Sequence, residues 1–351
     1  MKKIFYGVLG EGLGHATRTQ AFVEYFRNQY EIHIFTSKDA YSFFKKMNYP
    51  YLHEIKSIDF SFNKNGSVSY KKTSLKIYNF LSQSYQSFDY VRDKIKELNP
   101  SIVITDFEPI LPRTAHEMGI KLISIDNQHR FSDCTLNNLP LKYRIYSFGI
   151  GLFVKYLIPL DYYNPRIIST FHYDIEKPKN DNVFLTNVFI RENLAKGNVY
   201  NDEFLLCYLK SEIGKRIFNQ IEPILISLKI PTKVYCDFDS LPRKNISFHK
   251  FDYENFVKDL LSCKCVCSTA GNQLIGECKY LGKPILAVPI PNQFEQSING
   301  FYVNYCQLGK SCPIEQIDDY LLDEFFQIKN LLPQHQNGLD IIKNIISDYC
   351  S

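Results

Sequence analysis

The chain has 351 residues, more than a single compact core usually holds, so we expect two domains. Hydrophobic residues make up 45% of it and charged residues 22%, which excludes disordered and fibrous proteins. The net charge of +4 is too small to indicate a nucleic-acid-binding protein. Residues 1–170 carry 22 basic and 15 acidic residues, whereas residues 171–351 carry 19 and 22, so we expect the two halves to face different partners.

The sequence predicts neither a signal peptide nor a membrane-spanning helix. The apolar start of the chain ends at Glu11, and the apolar segment Ile145 to Leu160 is shorter than the roughly 20 residues that cross a bilayer. We therefore expect a cytoplasmic protein whose ten cysteines are reduced thiols. Cys263, Cys265 and Cys267 alternate as residues on one face of a strand do, and this spacing is not typical of zinc ligands, so no metal site is predicted.

Strand-like and helix-like stretches alternate along the first half of the chain. The predicted strands there are Lys3–Val8, Glu31–Thr36, Ser101–Thr105 and Lys121–Ile125. The predicted helices are about Ala16–Asn28 and Tyr85–Leu98, and the polar segment Asp59–Lys72 is predicted to be a surface loop.

A second polar stretch, Glu176–Asn182, is predicted to be a linker, and the alternation restarts after it. The predicted strands of the second half are Phe204–Leu209, Lys233–Cys236, Asn245–Phe248, Lys264–Cys267 and Pro284–Val288. The predicted helices are about Gly214–Leu228, Tyr253–Leu261 and Gln273–Tyr280. This alternation indicates an α/β fold with a parallel, doubly wound sheet in each half, and a cleft between two such domains is a common small-molecule site.

A glycine-rich turn, Gly10 to His15, joins the first predicted strand to the first helix. Such a turn lets a ligand approach the backbone, and the N–H groups of a helix start favour anionic oxygens. Its third glycine is misplaced for a dinucleotide fingerprint, and the second strand ends at Thr36 without an acidic residue, so NAD or FAD binding is disfavoured. His15 lies at the carboxyl end of a strand, where ligands bind in such sheets, and suits a general base, although a purely structural turn remains an alternative.

Two more polar clusters follow the next predicted strands. Asp106 and Glu108 come directly after the third strand, and Asn127 and His129 follow the fourth. Asp106 could hold the imidazole of His15 in the tautomer that accepts a proton, as the acid of a catalytic triad does. The alternative is that Asp106 caps the helix that follows.

The densest motif runs from Cys267 to Asn299. A predicted strand ends in the small-residue turn at Gly271, and the helix start after it could hold a diphosphate. Glu277 projects from the early part of that helix and could accept hydrogen bonds from a ribose. Gln296 and Asn299 are three residues apart, so they share a helix face and could bind sugar hydroxyls.

With these motifs the chain resembles the GT-B glycosyltransferases, above all the branch that contains MurG-like N-acetylglucosaminyltransferases, related to glycosyltransferase family 28, and a poorly characterised bacterial and archaeal subgroup. That branch combines an early G-x-G-x-G-H turn with a later S-x-x-G…E…G-x-P…P…Q-x-x-N block that binds the UDP-sugar. The resemblance covers nearly the whole chain. It implies two Rossmann-like domains that face each other across a cleft, a UDP-sugar as donor substrate, and no cofactor.

The resemblance also implies domain limits and residue roles. An acceptor-binding domain would span residues 1–170, a linker 171–182, a nucleotide-sugar-binding domain 183–330, and a helix within 331–351 would pack back towards the first domain. The catalytic residues would be His15, Asp106 and Glu108. The nucleotide-sugar-binding residues would be Phe251, Ser268, Thr269, Gly271, Asn272, Glu277, Glu295, Gln296 and Asn299. The acceptor-binding residues would be Gly12, Gly14, Arg18, Asn127 and His129. The turn reads GEGLGH rather than the GGTGGH of MurG, and the chain has no tryptophan, so it lacks the tryptophan-led box of plant glycosyltransferases.

The predicted activity is an inverting, metal-independent transfer of a hexose or N-acetylhexosamine to an acceptor hydroxyl, in cell-envelope polysaccharide or glycolipid synthesis. The basic first half and the aromatic segment Tyr143–Tyr163 suggest an anionic membrane surface on the inner face of the cytoplasmic membrane and a lipid-linked or glycan acceptor, although a buried helix would explain the segment equally well. The alternatives are a UDP-N-acetylglucosamine 2-epimerase, a non-catalytic nucleotide-sugar-binding protein and a dinucleotide-dependent oxidoreductase.

Overall fold

The computed structural model describes residues 1–56, 76, 79, 80, 84–157, 164–238 and 241–350. The predicted loop Asp59–Lys72 lies outside the described residues, as does the end of the aromatic segment, 158–163. Contacts divide the chain into two compact units. Among the described residues, the first unit comprises those up to Glu192 and those from Asn337 onward, and the second comprises Asn193–Gln336. Residues 171–182 belong to the first unit.

The first unit is built on a sheet of seven parallel strands in the order β3-β2-β1-β4-β5-β7-β9. Its strands, with the small antiparallel pair β6 and β8, are β1 (Lys2–Val8), β2 (Tyr30–Thr36), β3 (Leu52–Glu54), β4 (Ile102–Asp106), β5 (Leu122–Asp126), β6 (Cys134–Thr135), β7 (Arg166–Ser169), β8 (Lys177–Pro178) and β9 (Val183–Thr186). Helices of this unit with described bounds are α1 (Leu13–Phe26), α2 (Lys38–Lys46), α3 (Tyr85–Leu98), α4 (Ile110–Glu117), α5 (Arg130–Asp133) and α6 (Leu141–Leu157). Every residue of β4 and β5 is buried, as expected of central parallel strands covered by helices on both faces.

The second unit repeats this plan with six parallel strands in the order β12-β11-β10-β13-β14-β15. Its strands are β10 (Leu205–Leu209), β11 (Thr232–Cys236), β12 (Ile246–His249), β13 (Cys265–Thr269), β14 (Ile285–Val288) and β15 (Gly309–Ser311). Its helices are α7 (Glu192–Lys196), which begins at the last residue of the first unit, α8 (Ser211–Ser227), α9 (Tyr253–Ser262), α10 (Asn272–Leu281), α11 (Phe294–Tyr305), a 3-10 turn (Ile314–Gln316) and α12 (Asp319–Phe326). The predicted α/β class with two Rossmann-like sheets is confirmed.

The last helix, α13 (Gly338–Cys350), packs on the first unit. Lys2 Nζ donates to the Cys350 carbonyl oxygen over 2.7 Å, and Thr186 Oγ1 donates to the Gly338 carbonyl oxygen over 3.1 Å. The backbone approaches so closely here that a Cβ on Gly338 would lie 2.1 Å from the Asn187 carbonyl oxygen. The helix start therefore requires glycine for reasons of space.

Nine of the ten cysteines are buried, and Cys306, which follows α11, is half-buried. Cys265 and Cys267 lie on β13, in line with the predicted alternation. Among the described residues, no group of three or more His, Cys, Asp or Glu side chains could hold a metal ion. The helices in this described part of the chain are all too short or too polar to cross a membrane.

Candidate active site

The strand order reverses at one pair of neighbouring strands in each sheet. In the first unit these neighbours are β1 and β4: the chain goes from β1 to β2, towards one edge of the sheet, and from β4 to β5, towards the other edge. In the second unit β10 and β13 have the same relation. In doubly wound sheets a crevice opens at this point, at the carboxyl ends of the strands, and ligands bind there. The predicted residues His15, Asp106 and Gly271 all follow or end these particular strands.

His15, Asp106 and Arg18 form a connected group at the β1–β4 position. His15 Nδ1 lies 2.7 Å from Asp106 Oδ1. Arg18 donates from Nε to Asp106 Oδ2 over 2.8 Å and from Nη2 to Asp106 Oδ1 over 2.5 Å. Asp106 is fully buried and Arg18 is nearly so, whereas the His15 side chain is 13% exposed. Only the histidine of this group reaches solvent.

The contact between His15 and Asp106 determines which ring nitrogen can act as a base. A carboxylate oxygen only accepts hydrogen bonds, so in neutral His15 the proton lies on Nδ1 and is donated to Asp106. Nε2 then carries the lone pair that can accept a proton. The arrangement is that of the acid and base of a catalytic triad.

The glycine turn places His15 in the first turn of α1. Gly12 precedes the helix with a φ of +77°, a left-handed conformation that favours glycine. A Cβ on Gly12 or Gly14 would meet nothing within 4 Å, whereas one on Gly10 would lie 2.1 Å from Ser37 Oγ. Gly10 is therefore required for packing, while Gly12 and Gly14 border open space beside His15.

Glu108 is placed at the start of α4 rather than on His15. Its two carboxylate oxygens accept hydrogen bonds from the backbone N–H groups of Ile110 (2.7 Å) and Leu111 (2.8 Å). Burial raises the pKa of Glu108 to about 7, although these two hydrogen bonds act in the opposite direction. The capping considered for Asp106 is thus performed by Glu108.

The third predicted cluster follows β5 and is buried. The His129 N–H donates to Asp126 Oδ1 over 2.9 Å, and its ring Nδ1 contacts Asp126 Oδ2. Burial lowers the pKa of His129, but Asp126 outweighs this and raises it above its ordinary value. Asn127 is also buried. Asp126 also belongs to the polar stretch after the fourth predicted strand, but no sequence signal pairs it with His129, although it ends its strand just as Asp106 does.

In the second unit, β13 leads into the turn at Gly271, which precedes α10. No side chain caps this helix start, and a Cβ on Gly271 would meet nothing within 4 Å. Two hydrogen bonds fix the backbone of the turn. Asn299 Nδ2 donates to the Ala270 carbonyl oxygen over 2.8 Å, and Ser268 Oγ donates to the Tyr208 carbonyl oxygen over 2.9 Å. An uncapped helix start with open space before it suits a phosphate group.

The other residues predicted to bind the nucleotide sugar also belong to the second unit. Glu277 is buried on α10 and accepts a hydrogen bond from Gln273 Nε2 over 3.1 Å. Gln296 Oε1 accepts from the Ile290 N–H over 3.0 Å, so one end of this amide holds the loop before α11. The remaining predicted residues are half-buried Thr269 and Glu295, buried Asn272 at the start of α10, and Phe251 after β12, whose ring centroid is 5.6 Å from that of Tyr208.

Several solved glycosyltransferase structures share this fold. The chain aligns with MurG of Acinetobacter baumannii at a TM-score of 0.59 and 12% identity, over 99% of this chain and 100% of that one. It aligns with the Streptomyces sp. SF2575 glycosyltransferase SsfS6, complexed with thymidine diphosphate, at 0.60 and 14%, over 99% and 100%. It aligns with Phytolacca americana UGT2, complexed with UDP-2-fluoro-glucose and pterostilbene, at 0.64 and 12%, over 100% of both chains.

These similarities confirm the predicted GT-B fold. No curated protein matches the sequence significantly. The model of the family described as glycosyl transferase family 1 matches residues 2–330. Because this match spans nearly the whole chain, the chain belongs to glycosyl transferase family 1 and is a glycosyltransferase of the GT-B fold.

Proposed function

We propose that this glycosyltransferase is an inverting, metal-independent enzyme that moves a hexose or N-acetylhexosamine from a UDP-sugar to an acceptor hydroxyl. The observation that carries the proposal is the 2.7 Å contact between His15 Nδ1 and Asp106 Oδ1, which prepares Nε2 to accept a proton. The partly exposed ring, held by a buried carboxylate, is the arrangement that a general base requires.

The reaction is a single displacement. His15 Nε2 takes the proton of the acceptor hydroxyl as its oxygen attacks the anomeric carbon of the donor sugar. The bond from that carbon to the diphosphate breaks, and UDP leaves with the bonding electron pair. Attack opposite the leaving group inverts the anomeric centre, and the N–H groups at the start of α10 stabilise the charge on the departing diphosphate.

Two sets of residues bind the substrates in this proposal. Ser268, Thr269, Gly271 and Asn272 surround the diphosphate, because they form the open turn before α10. Glu277 binds the ribose, and backbone groups at Phe251 bind the uracil. The donor sugar is bound by Glu295, Gln296 and Asn299. On the acceptor side, Gly12 and Gly14 leave room beside His15. Asn127 and His129 follow β5, which is the strand next to β4.

The test is release of UDP from a panel of UDP-sugars by the wild type, His15→Ala and His116→Ala. His116 is exposed on α4 and serves as the control. We expect His15→Ala to lower kcat by about 10²–10⁴-fold, the usual contribution of general-base catalysis, and His116→Ala to leave it unchanged. Unchanged turnover in His15→Ala would refute the assignment of the base.

The same incubations separate the alternatives. A 2-epimerase would convert a UDP-sugar into its epimer without acceptor and without releasing UDP. A non-catalytic nucleotide-sugar-binding protein would bind UDP, seen as a raised Tm, but turn over none of the donors. A donor-dependent Tm shift together with acceptor-dependent UDP release supports the transferase.

We also propose that the acceptor is lipid-linked and that the enzyme binds the inner face of the cytoplasmic membrane during glycolipid or cell-envelope polysaccharide synthesis. The support is the surface of helix α6. Four apolar side chains at spacings of four, three and four residues are exposed by 56–73% along one stripe: Leu141, Ile145, Phe148 and Leu152. The helix contains no acidic residue, and its three basic residues, Lys142, Arg144 and Lys155, are exposed beside the stripe.

An exposed apolar stripe on a helix whose charged residues are all basic matches the interface of an anionic bilayer. Flotation with vesicles that contain anionic lipids tests this, with neutral vesicles as the reference. The wild type should float with anionic vesicles, and Phe148→Glu should not, whereas Tyr320→Glu on α12 should behave as the wild type. If the wild type stays at the bottom of the gradient, the membrane proposal is wrong and a soluble glycan acceptor replaces it.

A further inference from the structure

Arg18 has a position that neither the predicted acceptor contact nor the catalytic pair explains. It lies three residues after His15, on the same face of α1, and is only 3% exposed. Its guanidinium donates twice to Asp106, and the same Nη2 that bonds Asp106 Oδ1 lies 3.1 Å from His15 Nδ1. A buried arginine therefore shares one carboxylate oxygen with the proposed base.

The geometry of the guanidinium fixes the carboxylate. Two parallel N–H bonds from a planar group hold Asp106 in one orientation, which a lysine ammonium could not do. In that orientation Oδ1 faces His15 Nδ1 at 2.7 Å. Because Arg18 has no acceptor, Asp106 is the group that takes the Nδ1 proton, and the ring keeps Nε2 unprotonated.

The guanidinium keeps its charge in this buried place. Burial disfavours the charge, but Asp106 outweighs this and the pKa of Arg18 is raised, so Arg18 stays cationic. Both of its hydrogen bonds to Asp106 are therefore charge-assisted, which strengthens its hold on the carboxylate.

We propose that Arg18 is a positioning residue of the base, which holds Asp106 in line with His15 Nδ1 and thereby fixes the tautomer of the His15 ring. The role in catalysis rests on the proposed function, whereas the effect on the His15 ring does not. The other ionisable groups that act on Arg18 are Tyr6 on β1 and Asp126 on β5, and Asp39 on α2 accepts from the Gly12 N–H over 3.2 Å.

The first test needs no substrate. Long-range ¹H–¹⁵N correlation spectra of protein labelled on its histidine rings report the tautomer and the pH at which each ring gains its second proton, and His15→Gln assigns the His15 signals. The wild type should show neutral His15 protonated at Nδ1. Arg18→Met should populate both neutral tautomers, because Asp106 is no longer held facing Nδ1.

A matched variant on the same helix is Arg27→Met. Arg27 is 58% exposed at the end of α1 and pairs with Glu192, so its loss should leave the His15 signals unchanged. Because Arg18→Met leaves a buried carboxylate without its partner, which disfavours folding, the substitution is repeated on the Asp106→Asn background, where no such charge remains. There too it should populate both tautomers, since Arg18 no longer directs the amide oxygen towards His15 Nδ1.

The second test is kinetic. In Arg18→Met, kcat should fall together with the population of the Nδ1-protonated tautomer, and Arg18→Lys should restore neither fully, because an ammonium cannot hold both carboxylate oxygens in one plane. The same His15 tautomer in the wild type and in Arg18→Met, on both backgrounds, would overturn the proposal. A shift in the spectra without any UDP release from wild type would instead leave Arg18 as assigned and refute the proposed transferase activity.

Discussion

A pair of hydrogen-bonded histidines on the edge of the first sheet predicts an acid-sensitive fold. His33 on β2 contacts Glu31 through Nε2 (2.9 Å) and His53 on β3 through Nδ1 (2.9 Å). His53 Nδ1 in turn lies 2.8 Å from the Tyr90 hydroxyl, and its ring stacks on Phe35 at 4.4 Å. These contacts are satisfied together when both rings are neutral, with Tyr90 donating to His53, His53 to His33, and His33 to Glu31.

Protonation of His53 disrupts this arrangement. Burial, and then the charges of His33 and Lys94, lower the pKa of His53 from 6.5 to about 4. Between these two values the unfolded chain binds a proton that the folded chain does not, so stability falls as the pH drops below about 6.5. The full shift of ~2.5 units corresponds to ~3.4 kcal/mol, and solvent screening at this half-buried site reduces our expectation to about 1–2 kcal/mol.

The assay is urea unfolding followed by circular dichroism between pH 7.5 and 4.5, because the chain contains no tryptophan. His53→Gln should lose about 1–2 kcal/mol less stability over this range than the wild type. Glu108 contributes with the opposite sign, since its pKa is raised to about 7, but it is present in both proteins and cancels in the comparison. The exposed His116→Gln is the control, and equal losses in the wild type and His53→Gln would refute the reasoning.

Three further predictions concern packing around the candidate site and the last helix. Glu108→Ala removes both acceptors at the start of α4 and should lower the free energy of unfolding in urea by about 1–2 kcal/mol; no change would mean that the cap is not used. Asn299→Ala frees the carbonyl before Gly271 and should weaken UDP binding by about 2–10-fold in calorimetry, while Asn304→Ala, at the far end of α11, breaks two hydrogen bonds to Ser311 on β15 and should not. Gly338→Val should lower the Tm by at least about 4 °C in differential scanning fluorimetry, because the branched side chain would overlap the Asn187 carbonyl, and an unaltered Tm would contradict this close packing.

Apart from β7, the sequence predicts the inner strands of each sheet and the edge strand β12, and it misses the other edge strands. All nine predicted strands are present within two residues of their predicted bounds, because runs such as Ser101–Thr105 are apolar on both faces. The short strands β3 and β15, three residues each, have no such pattern. Strand β7 begins with Arg166, and a charged first residue is not typical of a buried strand. Tertiary contacts explain it, because Arg166 pairs with Asp133 at 2.9 Å and donates to Asn182 Oδ1 over 3.3 Å.

The candidate site shows the same limit. The pairing of His15 with Asp106 follows from their places at the ends of neighbouring strands, and the contact is present. Asp106 and Glu108 look alike in the sequence, as carboxylates after a buried strand, yet one faces the histidine and the other caps α4. Arg18 was expected at the acceptor, and its inward orientation could not be predicted, because burying a guanidinium depends on a partner that is distant in the chain.

The burial of nearly every thiol makes this chain convenient for optical studies of its two units. Maleimide dyes react with accessible thiolates, so in the native protein they should modify Cys306 and leave the nine buried cysteines intact. Replacing Cys306 by serine would then provide a background on which a single dye can be attached to a new surface cysteine in either unit. Such a dye would report on local changes in that unit when the nucleotide sugar binds, without removal of any cysteine from the interior.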